Sequence, residues 1–305
     1  MNRWEKIFEN LSDICRAERD YLLSRITSFG VGGEAKIAIF PRTVAELERA
    51  MSVIWDSELP HFVIGRGTNL LVADSGYNGI VVFVDGGFDG VERLSDNIWT
   101  FGAGALMSAA VKKAAEQGFG GLEELAGIPG SVGGCAKMNA SAYGKSFSDN
   151  IVFLNVLTRR GIGKISADEI EADYRCTAID DDVIILSAGV SLEEKPPAEI
   201  DGRIMEFNRM RVRSQPIDQK SAGCIFKNPE GMHAGALIDE AGLKGKSVGG
   251  AMVSQKHANF IINRGKATAS DIVELIRYVK NEVMKKFGVE LELEVIPLGF
   301  DGEIL

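Results

Sequence analysis

The sequence predicts an α+β protein of more than one domain, and three observations predict it. Short β-rich runs alternate with amphipathic helical segments at irregular spacing, so the strands read as parts of a mixed sheet. There are two glycine-rich loops, 65–71 and 122–144, and the first lacks the spacing that opens the dinucleotide-binding helix of a Rossmann fold. A Lys195-Pro196-Pro197 break then precedes a basic C-terminal part. With 305 residues the chain has room for two or three domains and a substantial core.

Residues 3–18 set Trp4, Ile7, Phe8, Leu11, Ile14 and Cys15 at helical spacing, which predicts an amphipathic helix. Residues 27–33 form a turn-rich entry to a strand over 35–40, ended by Pro41. Thr43 is placed to cap a helix with Val44, Leu47, Met51 and Ile54 on one face. The β run 61–64 passes through Gly65-Arg66-Gly67-Thr68-Asn69 into a second run. Residues 80–84 and 98–102 are β-rich; 106–117 is helical, with Gly118 as its stop. After the second glycine loop come strands over 151–158 and 183–192, with strand and connection over 162–170.

Beyond the proline pair, 204–212 and 232–241 read as helices and 221–229 as a glycine-bearing turn. A long helix over 269–287 is capped by Thr268 or Ser270 and stopped by Gly288. The alternation of 289–296 predicts a last strand with Glu290, Glu292 and Glu294 on one face.

Composition narrows the function classes. The 45% apolar and 25% charged fractions are those of a soluble globular protein. No apolar run has membrane-spanning length, and the start MNRWEKIFENL lacks a signal-peptide core, so a cytoplasmic location is expected. Cys15, Cys135, Cys176 and Cys224 lie far apart, and the three histidines are His61, His233 and His257. No zinc site, disulfide framework or multi-histidine metal centre is expected. A net charge of −9 gives no general attraction to nucleic acid. Yet residues 203–266 hold eleven Lys or Arg against five acids, a local +6 that leaves −15 elsewhere. That asymmetry points to an anionic small ligand held locally. The glycine loops suit the same kind of ligand, because bare backbone N–H groups approach a diphosphate closely.

Several stretches, in order, carry a family resemblance: TSFGVGG (27–33), IGRGTNLLV (64–72), AGIPGSVGG (126–134), MNASAYG (138–144), DYR (173–175), SAGCIFKNP (221–229), GGAMVSQKHANFIIN (249–263) and LELEV (291–295). Together they resemble the UDP-N-acetylenolpyruvoylglucosamine reductases, the MurB family of peptidoglycan precursor synthesis, over nearly the whole chain. The compact stretch after DYR is similar to the shorter, type II members.

The resemblance implies an α+β, FAD-binding fold of the vanillyl-alcohol-oxidase (PCMH) type. Two α/β subdomains, 1–80 and 81–198, would bind FAD. A third α+β domain, 199–305, would hold the substrate, its C-terminal strand returning to the active site. The implied reaction is NADPH-dependent reduction of UDP-N-acetylglucosamine enolpyruvate to UDP-N-acetylmuramate. FAD contacts are implied for Gly65, Arg66, Gly67, Thr68, Asn69 and Leu70, and for Gly127, Ile128, Pro129, Gly130, Ser131, Gly133, Gly134, Asn139 and Ala140. Substrate contacts are implied for Asn228, Lys256 and His257, while Arg211, Arg213 and Lys246 are diphosphate candidates chosen mainly from charge.

Hydride addition to the enolpyruvyl methylene leaves negative charge on the adjacent carbon and its carboxylate. The chemistry needs a cation at the carboxylate, a proton source at that carbon and a dry site. Arg175 matches the family's arginine, and a guanidinium can grip a carboxylate through two hydrogen bonds. Cys224 matches the proton-donor position, commonly serine; an ordinary thiol, with a pKa of about 8.5, is protonated at neutral pH. Glu294 matches the glutamate, though Glu292 shares its strand face and the pattern alone does not separate them. Ser141 stands where a glycine is expected, and Cys135 and Lys137 also depart from the family pattern.

With His61 the only histidine before residue 233, FAD is expected to be held non-covalently. A monomer or weak homo-oligomer is expected, without metal, nucleic acid or membrane insertion. The competing readings are another FAD oxidase of the same fold, or a nucleotide-sugar-binding protein without catalysis.

Overall fold

The computed structural model describes residues 2–300. The first helix, α1 (Arg3–Ser12), starts at a reciprocal cap: Asn2 Oδ1 accepts from Glu5 N at 2.9 Å and Glu5 returns a bond to Asn2 N at 2.8 Å. It ends six residues earlier than its periodicity predicts, and Arg16–Leu22 is a strand. Ile14 and Cys15 pack against the core from the closing turn, their N–H groups donating to the Leu11 carbonyl. An apolar pair that stays in the core either way cannot mark where the helix stops.

The helix α2 (Val44–Ser57) is capped by Thr43, whose Oγ1 accepts from Glu46 N at 3.1 Å. It buries Leu47, Met51 and Ile54 as the pattern predicts. Then come α3 (Met107–Ala115), the short α4 (Val132–Lys137) and α5 (Pro197–Ser214), which begins at the proline pair with Pro197 in its first turn. After α6 (Ala234–Glu240) comes α7 (Ala269–Phe287), where Thr268 and Asp271 form a capping box and Gly288, at φ 68°, ends the helix.

The chain forms two compact units. The first comprises the residues up to Arg19, Ile37–Arg66 and Gly79–Met210. The second comprises Asp20–Lys36, Gly67–Asn78 and the chain from Arg211. The first is framed by a five-stranded antiparallel sheet in the order Gly161–Ser166, Ile151–Thr158, Ile184–Ser191, Ile98–Gly102, Val91–Arg93. Trp99, Phe101 and Phe147 are fully buried in its core. A doubly wound sheet would need parallel neighbours, so the antiparallel frame fits the absence of a Rossmann fingerprint.

The second unit has its own core around Phe29, Ile225, Phe226, Ile272 and Ile276. Its sheet Ser247–Val248, Ala251–Val253, Ile261–Asn263 is antiparallel. The predicted last strand, 289–296, is corrected here. The strand is Ile296–Leu298, parallel to Leu70–Val72. Before it, Leu291 and Val295 are buried while Glu290 and Glu292 are exposed, so the alternation is genuine. The only β partner of that stretch among the described residues is an isolated bridge between Phe226 and Leu293. Glu294, predicted to share the solvated face, is half-buried.

Candidate active site

In the first unit Gly65 lies against Ser131. A Cβ at Gly65 would lie 2.2 Å from Ser131 Oγ, so the segments lie this close only because residue 65 has no side chain. Within that unit, Gly65, Arg66 and residues 127–140 include Arg66 and Lys137 and no acid, which suits an anionic cofactor diphosphate. The donor count differs from the simple expectation of open N–H groups. Val132 N donates to Ala105 O at 2.9 Å, Gly133 N to Ala103 O at 2.9 Å and Gly134 N to Ser131 Oγ at 3.3 Å. These amides hold the loop itself.

Arg175 lies in a two-residue turn. Ala172–Asp173 pairs with Cys176–Thr177, leaving Tyr174 and Arg175 at the tip. Its φ of 60° is left-handed, uncommon for a residue with a side chain. Arg175 Nη1 donates to Ser141 O at 3.1 Å. Ser141 therefore contacts the arginine through its backbone.

The second unit gathers the other catalytic candidates on adjoining segments. Cys224 bridges Phe260, and Ile225 N donates to Asn259 O at 2.8 Å. On the other side, Glu294 N donates to Ile225 O at 2.8 Å. Glu294 O accepts from Asn69 Nδ2 at 3.0 Å, and Asn69 O accepts from Ile296 N at 2.9 Å. Asn69, expected at the cofactor, thus also anchors the glutamate's backbone. The geometry separates two glutamates that the alternation could not: Glu292 is 74% exposed and pairs with Lys227 at 3.4 Å, whereas Glu294 is half-buried and pinned through its backbone. Gly67 O accepts from Ser28 N at 3.2 Å, Leu70 pairs with Ile296, and Thr68 is half-buried between them in sequence.

Among the substrate candidates, exposed Asn228 accepts from Ala234 N at 3.1 Å and so orders the turn before α6. Lys256 Nζ donates to Val212 O, and Lys246 Nζ lies 4.4 Å over the Tyr278 ring. Arg213 is exposed and Arg211 half-buried, both at the end of α5. Asn259 was not singled out by sequence reasoning. It is 3% exposed, and its amide brackets Phe226, donating to the carbonyl at 2.8 Å and accepting from the N–H at 3.0 Å. The only signal was its place in the KHANFIIN stretch, where a lysine and a histidine drew attention first.

His257 is half-buried, with its ring edge-on to Phe260 and Nδ1 accepting from Asn259 N at 3.3 Å. An accepting Nδ1 fixes the neutral ring with its proton on Nε2. Burial, with the charge of Lys244 adding, lowers its pKa from the usual 6.5. The unfolded chain therefore binds the proton more readily, and stability falls as pH drops below about 6.5 towards the depressed value. Melts between pH 7.5 and 5 are expected to show the native protein losing more stability on acidification than His257→Gln; parallel curves would disprove the assignment.

Two family profiles match this chain: FAD binding domain over residues 35–164, and UDP-N-acetylenolpyruvoylglucosamine reductase, C-terminal domain, over 215–298. The chain is 40% identical over 294 residues to the UDP-N-acetylenolpyruvoylglucosamine reductase of Agathobacter rectalis, covering 92% of this chain and 93% of that one. It is 39% identical over 305 residues to the protein of that name from Clostridium botulinum strain Okra, covering 98% and 99%. Among solved structures it is similar to UDP-N-acetylenolpyruvylglucosamine reductase (MurB) from Thermus caldophilus, with TM-score 0.82, 39% identity, and coverage of 93% of this chain and 99% of that one. A 4-ethylphenol oxidase from Gulosibacter chungangensis shares the fold at TM-score 0.51 and 12% identity, over 95% of this chain and 65% of that one. The fold is thus the α+β, FAD-binding type of the vanillyl-alcohol-oxidase (PCMH) group. This chain belongs to the UDP-N-acetylenolpyruvoylglucosamine reductase family, FAD-binding oxidoreductases of peptidoglycan synthesis.

Proposed function

We propose that this protein uses NADPH to reduce UDP-N-acetylglucosamine enolpyruvate to UDP-N-acetylmuramate, in the cytoplasm, as a monomer or weak homo-oligomer. What carries the reading is the near-full-length identity to reductases of that name, with the C-terminal profile spanning Cys224 and Glu294. We further propose the division of labour 1–80 and 81–198 for the cofactor and 199–305 for the substrate.

The segments 65–70 and 127–140 would hold FAD non-covalently, and bound FAD would supply hydride transfer between NADPH and the enolpyruvyl methylene. The protein's own side chains manage the charge that results. Arg175 grips the substrate carboxylate and stabilises the enolate through a charge-assisted pair. Cys224 holds its thiol proton for the carbon next to that carboxylate. Glu294 orients the proton donor or returns its proton. Arg211, Arg213 and Lys246 offer positive charge to the UDP diphosphate, with Asn228, Lys256 and His257 beside the sugar-nucleotide.

The test is anaerobic. NADPH should bleach the yellow protein, and the enolpyruvyl substrate should restore the colour. Bleaching without substrate-driven recovery would remove the reductase reading, and flavin that stays attached to the denatured chain would favour an oxidase.

A further inference from the structure

We propose that Asn139 is a positioning residue that locks the Arg175 turn onto the end of α4, on the reading of Arg175 given above. Asn139 sits where α4 stops. Its N–H donates to Ala136 O at 3.3 Å, and the next residue, Ala140, donates to Cys135 O at 2.8 Å. This is the Schellman arrangement, and it needs a left-handed residue, which Asn139 is at φ 39°. Glycine is the usual occupant because it has no Cβ to strain. An asparagine here brings a side chain that the cap itself does not require.

That side chain is engaged at both ends. Nδ2 donates to Asp173 O at 3.0 Å, 34 residues away, and Oδ1 accepts from Ser148 N at 3.1 Å. Asn139 is 5% exposed, and both bonds are partly buried. Asp173 directly precedes the Tyr174-Arg175 tip. Two further bonds tie the same turn to the same stretch. Thr177 Oγ1 donates to Lys137 O at 2.9 Å, and Arg175 Nη1 donates to Ser141 O at 3.1 Å.

Arg175 adopts a left-handed backbone that a side-chain-bearing residue holds only when its surroundings over-determine it. Three clamps from residues 137–141 do so, one before the turn, one at the arginine and one after it. The same stretch closes the glycine loop assigned to the cofactor. Asn139 therefore sets where the guanidinium stands relative to that loop, and an error of about 1 Å there costs on the order of 100-fold in rate.

The decisive variant is Asn139→Gly, which keeps the left-handed cap at no steric cost and removes only the side chain. In the holoenzyme, hydrogen exchange over residues 172–178 should quicken, and enolpyruvate reduction should slow at least about tenfold. In an Arg175→Ala background the same change should cost less than about twofold, because the group it positions is gone. Thr177→Val, which removes the other flanking clamp, should slow enolpyruvate reduction while leaving bleaching by NADPH unchanged. Unaltered exchange in Asn139→Gly, or losses that multiply with those of Arg175→Ala, would overturn the proposal. An Arg175→Ala enzyme with full turnover would instead overturn the role of Arg175, while the exchange result still decides whether Asn139 holds the turn.

Discussion

Arg175→Ala is expected to lower turnover of the enolpyruvyl substrate by about 1000-fold while NADPH still bleaches the protein at its normal rate. Removing a single preorganised donor at a developing oxyanion costs about 100- to 1000-fold. A guanidinium removes both a charge and a two-pronged grip, which places the effect at the upper end. The first half-reaction involves no enolate, so it has no use for that cation. Arg175→Lys should recover only part of the loss, because a point ammonium does not reproduce the planar fork. Stopped-flow traces of the two half-reactions separate these outcomes. An equal fall in both would mean that the residue serves the fold or the cofactor.

Cys224→Ala should slow the second half-reaction by about 100- to 10,000-fold, the range that a positioned proton donor supplies. Cys224→Ser should keep much of the activity, since a hydroxyl can donate from the same place. The backbone beside it is held from both sides, Ile225 N donating to Asn259 O and Ile225 O accepting from Glu294 N. Full activity in Cys224→Ala would assign the proton to another group.

Much of the architecture was legible because it is local. The end signals of α7 lie within one turn of its ends, and Thr268 and Gly288 do what residues of their types do anywhere. The strands Ile98–Gly102 and Ile151–Thr158 match their β-rich runs because the core buries their apolar residues on a sheet several strands wide. The family was legible too, through ordered motifs.

Other features depended on partners distant in sequence. Apolar spacing carried the first helix through Ile14 and Cys15, which the core accepts equally from a turn. Alternation made 289–296 a strand, but among the described residues 289–295 has only an isolated bridge, Leu293 to Phe226, and pairing begins at Ile296. Glu292 and Glu294 are equivalent in any periodic pattern. They differ because Lys227 meets one carboxylate, while Asn69, 225 residues away, grips the backbone of the other.

The chain's own order of residues was enough to state its class, its family, the ends of its last helix and which residues are acid–base candidates, because each of these is written in neighbouring side chains. The folded protein alone decided which amides of the glycine loop are already engaged, which glutamate is sheltered and what Asn139 holds. Hydrogen bonds join atoms that approach within about 3 Å, and for those residues the approach is made by chain far removed in sequence.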